Sequence, residues 1–121
     1  MWLMLQQEKP EDYVIASGVQ HSVREFTTLA FRYNGIELEW CGSGIDEKGI
    51  DKATGRELVA VSRAFFRPTD VCNLWGNPEK AKRELGWNPM KTSYEELVRL
   101  MAKHDRALAE EEKRVKAALS R

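Results

Sequence analysis

Phe65-Phe66-Arg67-Pro68-Thr69-Asp70, followed after a five-residue spacer by Gly76-Asn77-Pro78-Glu79-Lys80-Ala81-Lys82-Arg83-Glu84-Leu85-Gly86-Trp87-Asn88-Pro89, is the stretch from which the fold of this chain is read. The first run sets a guanidinium and a carboxylate three positions apart in a segment stiffened by proline. Arg67 offers a planar fork of donors that suits phosphate oxygens, and Asp70 accepts hydrogen bonds from ribose hydroxyls or the amino edge of a base. The same spacing suits a local surface ion pair worth only about 0–1 kcal/mol, so the pair alone does not decide between the two. The second run predicts a short helix with its own punctuation. Asn77 is the N-cap, Pro78 takes the first helical position, and Glu79 meets the positive end of the dipole. Lys82 and Arg83 meet the negative end, and Gly86 takes the left-handed position before Trp87 and Pro89.

Working outward, residues 1–7 read as the last two turns of a helix whose start is absent. Residues 13–16 read as a short buried strand, bounded by Pro10 and Gly18. Ser22 and Glu25 form a capping box, and Val23, Phe26, Leu29, Ala30 and Tyr33 recur at helical spacing until Asn34-Gly35. Ile36, Leu38 and Trp40 alternate with Glu37 and Glu39, the period of a half-buried strand. Residues 42–55 are rich in glycine and charge. They read as a long loop or irregular hairpin arm, with Asp46, Glu47, Lys48 and Asp51 as solvated turn charges, ahead of a strand at 57–61. Thr92 and Ser93 with Glu95 and Glu96 offer overlapping capping boxes for a long terminal helix. Leu97, Leu100, Met101, His104 and Leu108 mark its expected inner stripe. Beyond Ala109 the stripe gives way to Glu110–Arg114 and Glu112–Lys116 pairs, each supporting an exposed helix by a few tenths of a kcal/mol. Glu111 interrupts any continuing coiled-coil seam.

The order Arg-Pro-x-acid, a Gly-Asn-Pro helix, then Leu-Gly-Trp-x-Pro resembles the C-terminal part of the extended short-chain dehydrogenase/reductases. Within them, the segments 8–18, 22–26 (Ser-Val-Arg-Glu-Phe) and 46–51 (Asp-Glu-Lys-Gly-Ile-Asp) resemble the GDP-mannose 4,6-dehydratases, over residues 1 to roughly 105. The resemblance implies an α/β chain of the α+β-like small-domain kind, with short strands, several helices and a long C-terminal helix. Residues 1–105 would be a truncated nucleotide-sugar-binding domain and residues 106–121 a charged continuation of the last helix. It further implies that Arg67 contacts the diphosphate of GDP-mannose or GDP and that Asp70 accepts from the ribose or guanine. Relatives more often carry Glu where Asp70 stands, and Pro-Arg-Tyr where this chain has Arg63-Ala64-Phe65. In the family an N-terminal Rossmann domain binds NADP and performs the oxidation, water elimination and hydride return.

None of that apparatus is legible here. There is no Gly-x-Gly-x-x-Gly between strand and helix, and Gly42-Ser43-Gly44 reads as a turn. The residues four after Tyr13, Tyr33 and Tyr94 are Ser17, Glu37 and Val98, so no Tyr-x-x-x-Lys pair exists and no catalytic residue is assigned. No cofactor is expected in this chain. Cys41 and Cys72 lack metal-ligand spacing and are expected as reduced thiols, and His21 and His104 as structural or solvated groups. Lys+Arg and Asp+Glu are 19 each, which with no nucleic-acid motif argues against that partner class. The apolar start is too short for a signal or a membrane span, so a cytoplasmic chain is expected, long enough for one core. Three readings follow: a dehydratase C-terminal portion inactive alone, one chain of a split enzyme completed by a separate Rossmann chain, or a non-enzymatic binding or homo-oligomerisation module.

Overall fold

The computed structural model describes residues 1–71 and 73–119, so Cys72 lies outside the described residues. Its architecture is α+β, with helices and a small antiparallel sheet. Instead of gathering about one core, the chain divides into two compact units, Met1–His21 with Asp70–Ser93 and Ser22–Thr69 with Tyr94–Arg121. Each has a small core of its own: Ala81 and Leu85 in the first, Leu38 and Val98 in the second.

In the second unit, helix α1 (Val23–Tyr33) starts at the expected capping box. The Ser22 hydroxyl accepts from the Glu25 amide at 3.1 Å, and the Glu25 carboxylate accepts from the Ser22 amide at 2.8 Å. It ends at Asn34, and Gly35, at φ 79°, turns the chain back. Residues 26–31 are half-buried, whereas Val23 and Tyr33 at the helix ends are exposed. Strand β1 (Leu38–Cys41) keeps the expected alternation, with Leu38 and Trp40 inward and Glu39 outward.

The segment 42–55 is more ordered than its composition suggests. It contains a 3-10 turn at Gly44–Asp46 and strand β2 (Lys48–Asp51), which pairs antiparallel with β1 on one side and β3 (Glu57–Ala60) on the other. The strand escaped detection because its buried position is a glycine. Gly49 stands opposite Trp40 and Val59, and a Cβ there would come within 3.2 Å of the Val59 Cβ. The charges of this segment are not free turn charges either. Lys48 bridges across strands to Glu57 at 2.7 Å, Glu47 pairs with Arg24, and Asp51 accepts from the Thr54 hydroxyl at 2.6 Å and the Ala53 amide at 2.9 Å.

Helix α3 (Tyr94–Leu119) packs on α1, but through a different face from the expected stripe. Tyr94, Val98 and Ala102 turn inward, and Val98 is fully buried at 0% exposure. Leu97, Leu100, Met101 and Leu108 are 42–52% exposed, and His104 lies on the solvated surface. These three residues are spaced by four, the spacing of a ridge along one helix that fits the groove of another.

In the first unit, the N-terminal turns form a 3-10 segment at Trp2–Gln6. Residues 13–16 are not a strand: they run without a ladder, and Val14 and Ile15 are half-exposed. They pack instead against a glycine, since a Cβ on Gly76 would fall 2.6 Å from Val14 Cγ1 and 3.1 Å from Ala16 Cβ. Helix α2 (Glu79–Leu85) begins one residue later than expected, with Pro78 at the cap position. Asn77 still does the capping chemistry, accepting the Glu79 amide at 3.0 Å. Gly86 takes the left-handed conformation, φ 59° and ψ 23°, as its position required.

Candidate functional site

The stretch between β3 and α2 carries both residues singled out for nucleotide binding. It has no regular element, only a turn at residues 63–65 closed by the Phe65 amide on the Ser62 carbonyl at 3.1 Å. Arg67 is exposed, and within its own unit no described carboxylate engages its guanidinium. Asp70 is exposed, and its Oδ1 accepts the amide of Val71 at 2.9 Å, which holds the carboxylate against its own backbone. The division between the units falls between Thr69 and Asp70, so the two residues belong to different units. Phe65, in the position beside them, is 84% exposed.

The glycines that a dinucleotide would need are spent on a turn. Gly42 has φ +78°, and a Cβ there would stand 2.3 Å from the Asp46 carbonyl oxygen, so this glycine lets the chain close tightly on itself. Gly44 opens a 3-10 turn of three residues, too short to present a helix dipole to a pyrophosphate. Gly42 and Gly44 therefore do not form a dinucleotide-binding loop. Among the described residues no cluster of three His, Cys, Asp or Glu is placed to hold a metal ion. His104 Nδ1 lies 3.3 Å from Asp105 Oδ1 on the exposed face of α3, and Cys41 is a free, exposed thiol.

Two clusters went unread in the sequence. In the first unit Lys80 Nζ bonds Glu11 at 2.9 Å and the Asp12 carbonyl at 3.1 Å, and sits 4.9 Å from the Tyr13 ring centroid. Partial burial raises the Tyr13 phenol, and a hydrogen bond to Glu84 adds to the effect. Glu84 is held below the usual carboxylate range, first by Arg83. In the second unit Trp40 Nε1 donates to the Thr28 hydroxyl at 2.9 Å, with the Arg24 guanidinium 5.8 Å from the indole ring centroid and paired with Glu47. Both clusters lock extended segments onto helices. The only sequence signal was a preponderance of polar and aromatic residues near segments already assigned.

Among the described residues no helix is long and apolar enough to cross a membrane. Many large apolar side chains stand exposed, including Trp2 at 69%, Leu74 at 78% and Trp75 at 62%.

Residues 1–101 match the family described as GDP-mannose 4,6 dehydratase, a span that contains Arg67 and Asp70. A GDP-mannose 4,6 dehydratase of Drosophila melanogaster is 50% identical over 105 residues, covering 87% of this chain and 26% of that protein. GDP-mannose 4,6 dehydratase 2 of Caenorhabditis elegans is 50% identical over 110 residues, 91% of this chain and 28% of the relative. The human enzyme is 46% identical over 105 residues, again 28% of its length. The chain thus spans 26% to 30% of the length of the first curated relatives it matches. With the family's motifs in order along five-sixths of its length, this chain belongs to the GDP-mannose 4,6-dehydratase family, as a C-terminal fragment of the proteins it matches.

Proposed function

We propose that this chain is the nucleotide-sugar-binding portion of a GDP-mannose 4,6-dehydratase, the enzyme that converts GDP-mannose to GDP-4-dehydro-6-deoxymannose. Residues 1–105 are the binding portion and residues 106–121 a charged continuation of α3. Arg67 grips the diphosphate and Asp70 accepts from the ribose or guanine. The carrying observation is the match over residues 1–101, and the exposure of Arg67 within that span is consistent with the grip. The chain's role in turnover is to bind and orient GDP-mannose in the cytoplasm. On this reading the sugar chemistry takes place outside this chain, whose sequence carries no Tyr-x-x-x-Lys pair and no Gly-x-Gly-x-x-Gly loop. NADP, held in the whole enzyme by a Rossmann domain, supplies hydride chemistry there.

A second reading is supported by the exposure of large apolar side chains, Trp2, Leu74 and Trp75 among them. On it, the chain is completed by a separate Rossmann chain, or serves as a binding module that associates with itself.

Thermal melting of the purified chain with GDP-mannose, against UDP-glucose as control, tests the first reading, because a ligand of the folded state raises stability as RT ln(1 + [L]/Kd). A shift specific to GDP-mannose is expected. Arg67→Ala is expected to weaken it about ten- to a hundredfold, the value of a charge-assisted phosphate contact of about 1.5–3 kcal/mol. Equal affinity in that variant removes Arg67 from the site. No shift with either ligand, together with self-association in solution, favours the module.

A further inference from the structure

We infer that the second unit carries a binding site for a free apolar α-amino acid, in the wedge where α3 runs past the end of α1. The wedge follows from side-chain size. Along the inward face of α3 the residues shrink from Tyr94 and the fully buried Val98 to Ala102, and Ala109 follows two turns later at the surface. Helix α1 ends at Tyr33, and the chain turns away through Gly35. Past Val98 a cavity of about 440 Å³ opens between the two helices, lined by Phe31 and Ile36 on one side and by Ala102 and Ala109 of α3 on the other. That volume lies within the roughly 300–1,000 Å³ of small-molecule sites.

The polar groups lining the wedge select the ligand. Arg106 lines the cavity and donates through Nε to Glu110 at 3.1 Å, a bond that does not use the terminal nitrogens with which a guanidinium meets a carboxylate. Beside it Asp105 supplies a carboxylate, whose Oδ1 lies 3.3 Å from His104 Nδ1. Asn34 spends its amide nitrogen on the Ala30 carbonyl at 3.0 Å and keeps its side-chain oxygen as an acceptor. One cationic donor and two acceptors thus border an apolar floor. A simple anion would meet Asp105 and a simple cation would meet Arg106, each with like charge. A zwitterion satisfies both, and its apolar side chain fills the space above Ala102 and Ala109. The charged residues of the wedge, Asp105 and Arg106, lie beyond the 101 residues matched by the family, and neither Arg67 nor Asp70 lines it.

The test is an NMR titration of the ¹⁵N-labelled full chain with L-phenylalanine and L-leucine, and with 3-phenylpropionate and phenethylamine as single-charge analogues. Saturable shifts are expected at Phe31, Ile36, Ala102 and Ala109. Because both charged groups are exposed, each analogue is expected to bind only about three- to fivefold more weakly than phenylalanine. Asp105→Asn is expected to remove the preference for phenylalanine over 3-phenylpropionate, which a purely structural aspartate would not do. Ala109→Leu fills the wedge and is expected to abolish the shifts while the rest of the spectrum is kept. No saturation by either amino acid, equal binding of the analogues, or unchanged shifts in Ala109→Leu overturns the assignment.

Discussion

Truncating Val98 and Leu97 to alanine sets the two possible faces of α3 against each other. Side-chain size alone predicts that losing the leucine costs more. Exposure reverses the order, since Val98 is 0% exposed and Leu97 48%. Val98→Ala removes two buried carbons, about 1.6 kcal/mol at about 0.8 per carbon, and leaves a cavity worth about 1 kcal/mol more. Alanine's better helix propensity returns about 0.5 kcal/mol, for a net loss of about 2 kcal/mol. Leu97→Ala removes three carbons that are only half withdrawn from water, about 1.2 kcal/mol, and solvent fills the space so that no cavity term is added. Its net loss is about 1 kcal/mol after the propensity gain. The assay is urea unfolding of the full chain followed by far-UV circular dichroism. It is run at two protein concentrations, so that any self-association through the exposed stripe shows as a concentration dependence. A loss in Leu97→Ala equal to or larger than that in Val98→Ala would refute the assignment of the buried face.

Gly42→Ala is expected to destabilise by at least about 2 kcal/mol in the same assay, because it combines a positive φ with a clash against a backbone oxygen that cannot rotate away. A change near zero would mean that the turn relaxes. Ser22→Ala should cost about 1 kcal/mol through loss of the α1 cap, and Ser22→Gly should recover most of it. Asp51 titrates below its ordinary 3.8, held down first by the Thr54 hydroxyl and then by the Ala53 amide. A depressed carboxylate contributes stability above its unfolded value and loses it as pH falls through the lower folded value. Acid unfolding below pH 3.8 should therefore be less steep in Asp51→Asn than in the parent chain. Parallel acid limbs in the two proteins would remove Asp51 from the pH response.

The local punctuation was legible because it is written within a few residues. The Ser22 and Glu25 box, the Asn77 side chain on the Glu79 amide and the left-handed Gly86 depend on groups that the chain brings together whatever the rest does. Even the one-residue displacement of α2 leaves that chemistry in place. Strand β2 was harder, since the period-two signal needs side chains and its inward position is Gly49. The supposed strand at 13–16 failed for the opposite reason. Its apolar residues fit a strand, but a strand exists only where a neighbour completes the ladder, and among the described residues none does.

The candidate site divides in the same way. Arg67 and Asp70 were found from residue type and order, because a guanidinium and a carboxylate announce their chemistry without a fold. Their environment is a matter of tertiary structure: the Val71 amide occupies one oxygen of Asp70, while Arg67 stands exposed in the other unit. The sequence by itself determined the family, the helix caps, the long terminal helix and the residue types offered to a nucleotide, all of which rest on short-range order. Only the tertiary structure decided which face of α3 is buried, how Lys80 reaches Glu11 across 69 residues, and where α1 and α3 part to leave a cavity. The reason is that a helix with two apolar stripes satisfies its own backbone equally well in either orientation. The choice is made by the partner that packs more closely, here α1 against Tyr94, Val98 and Ala102.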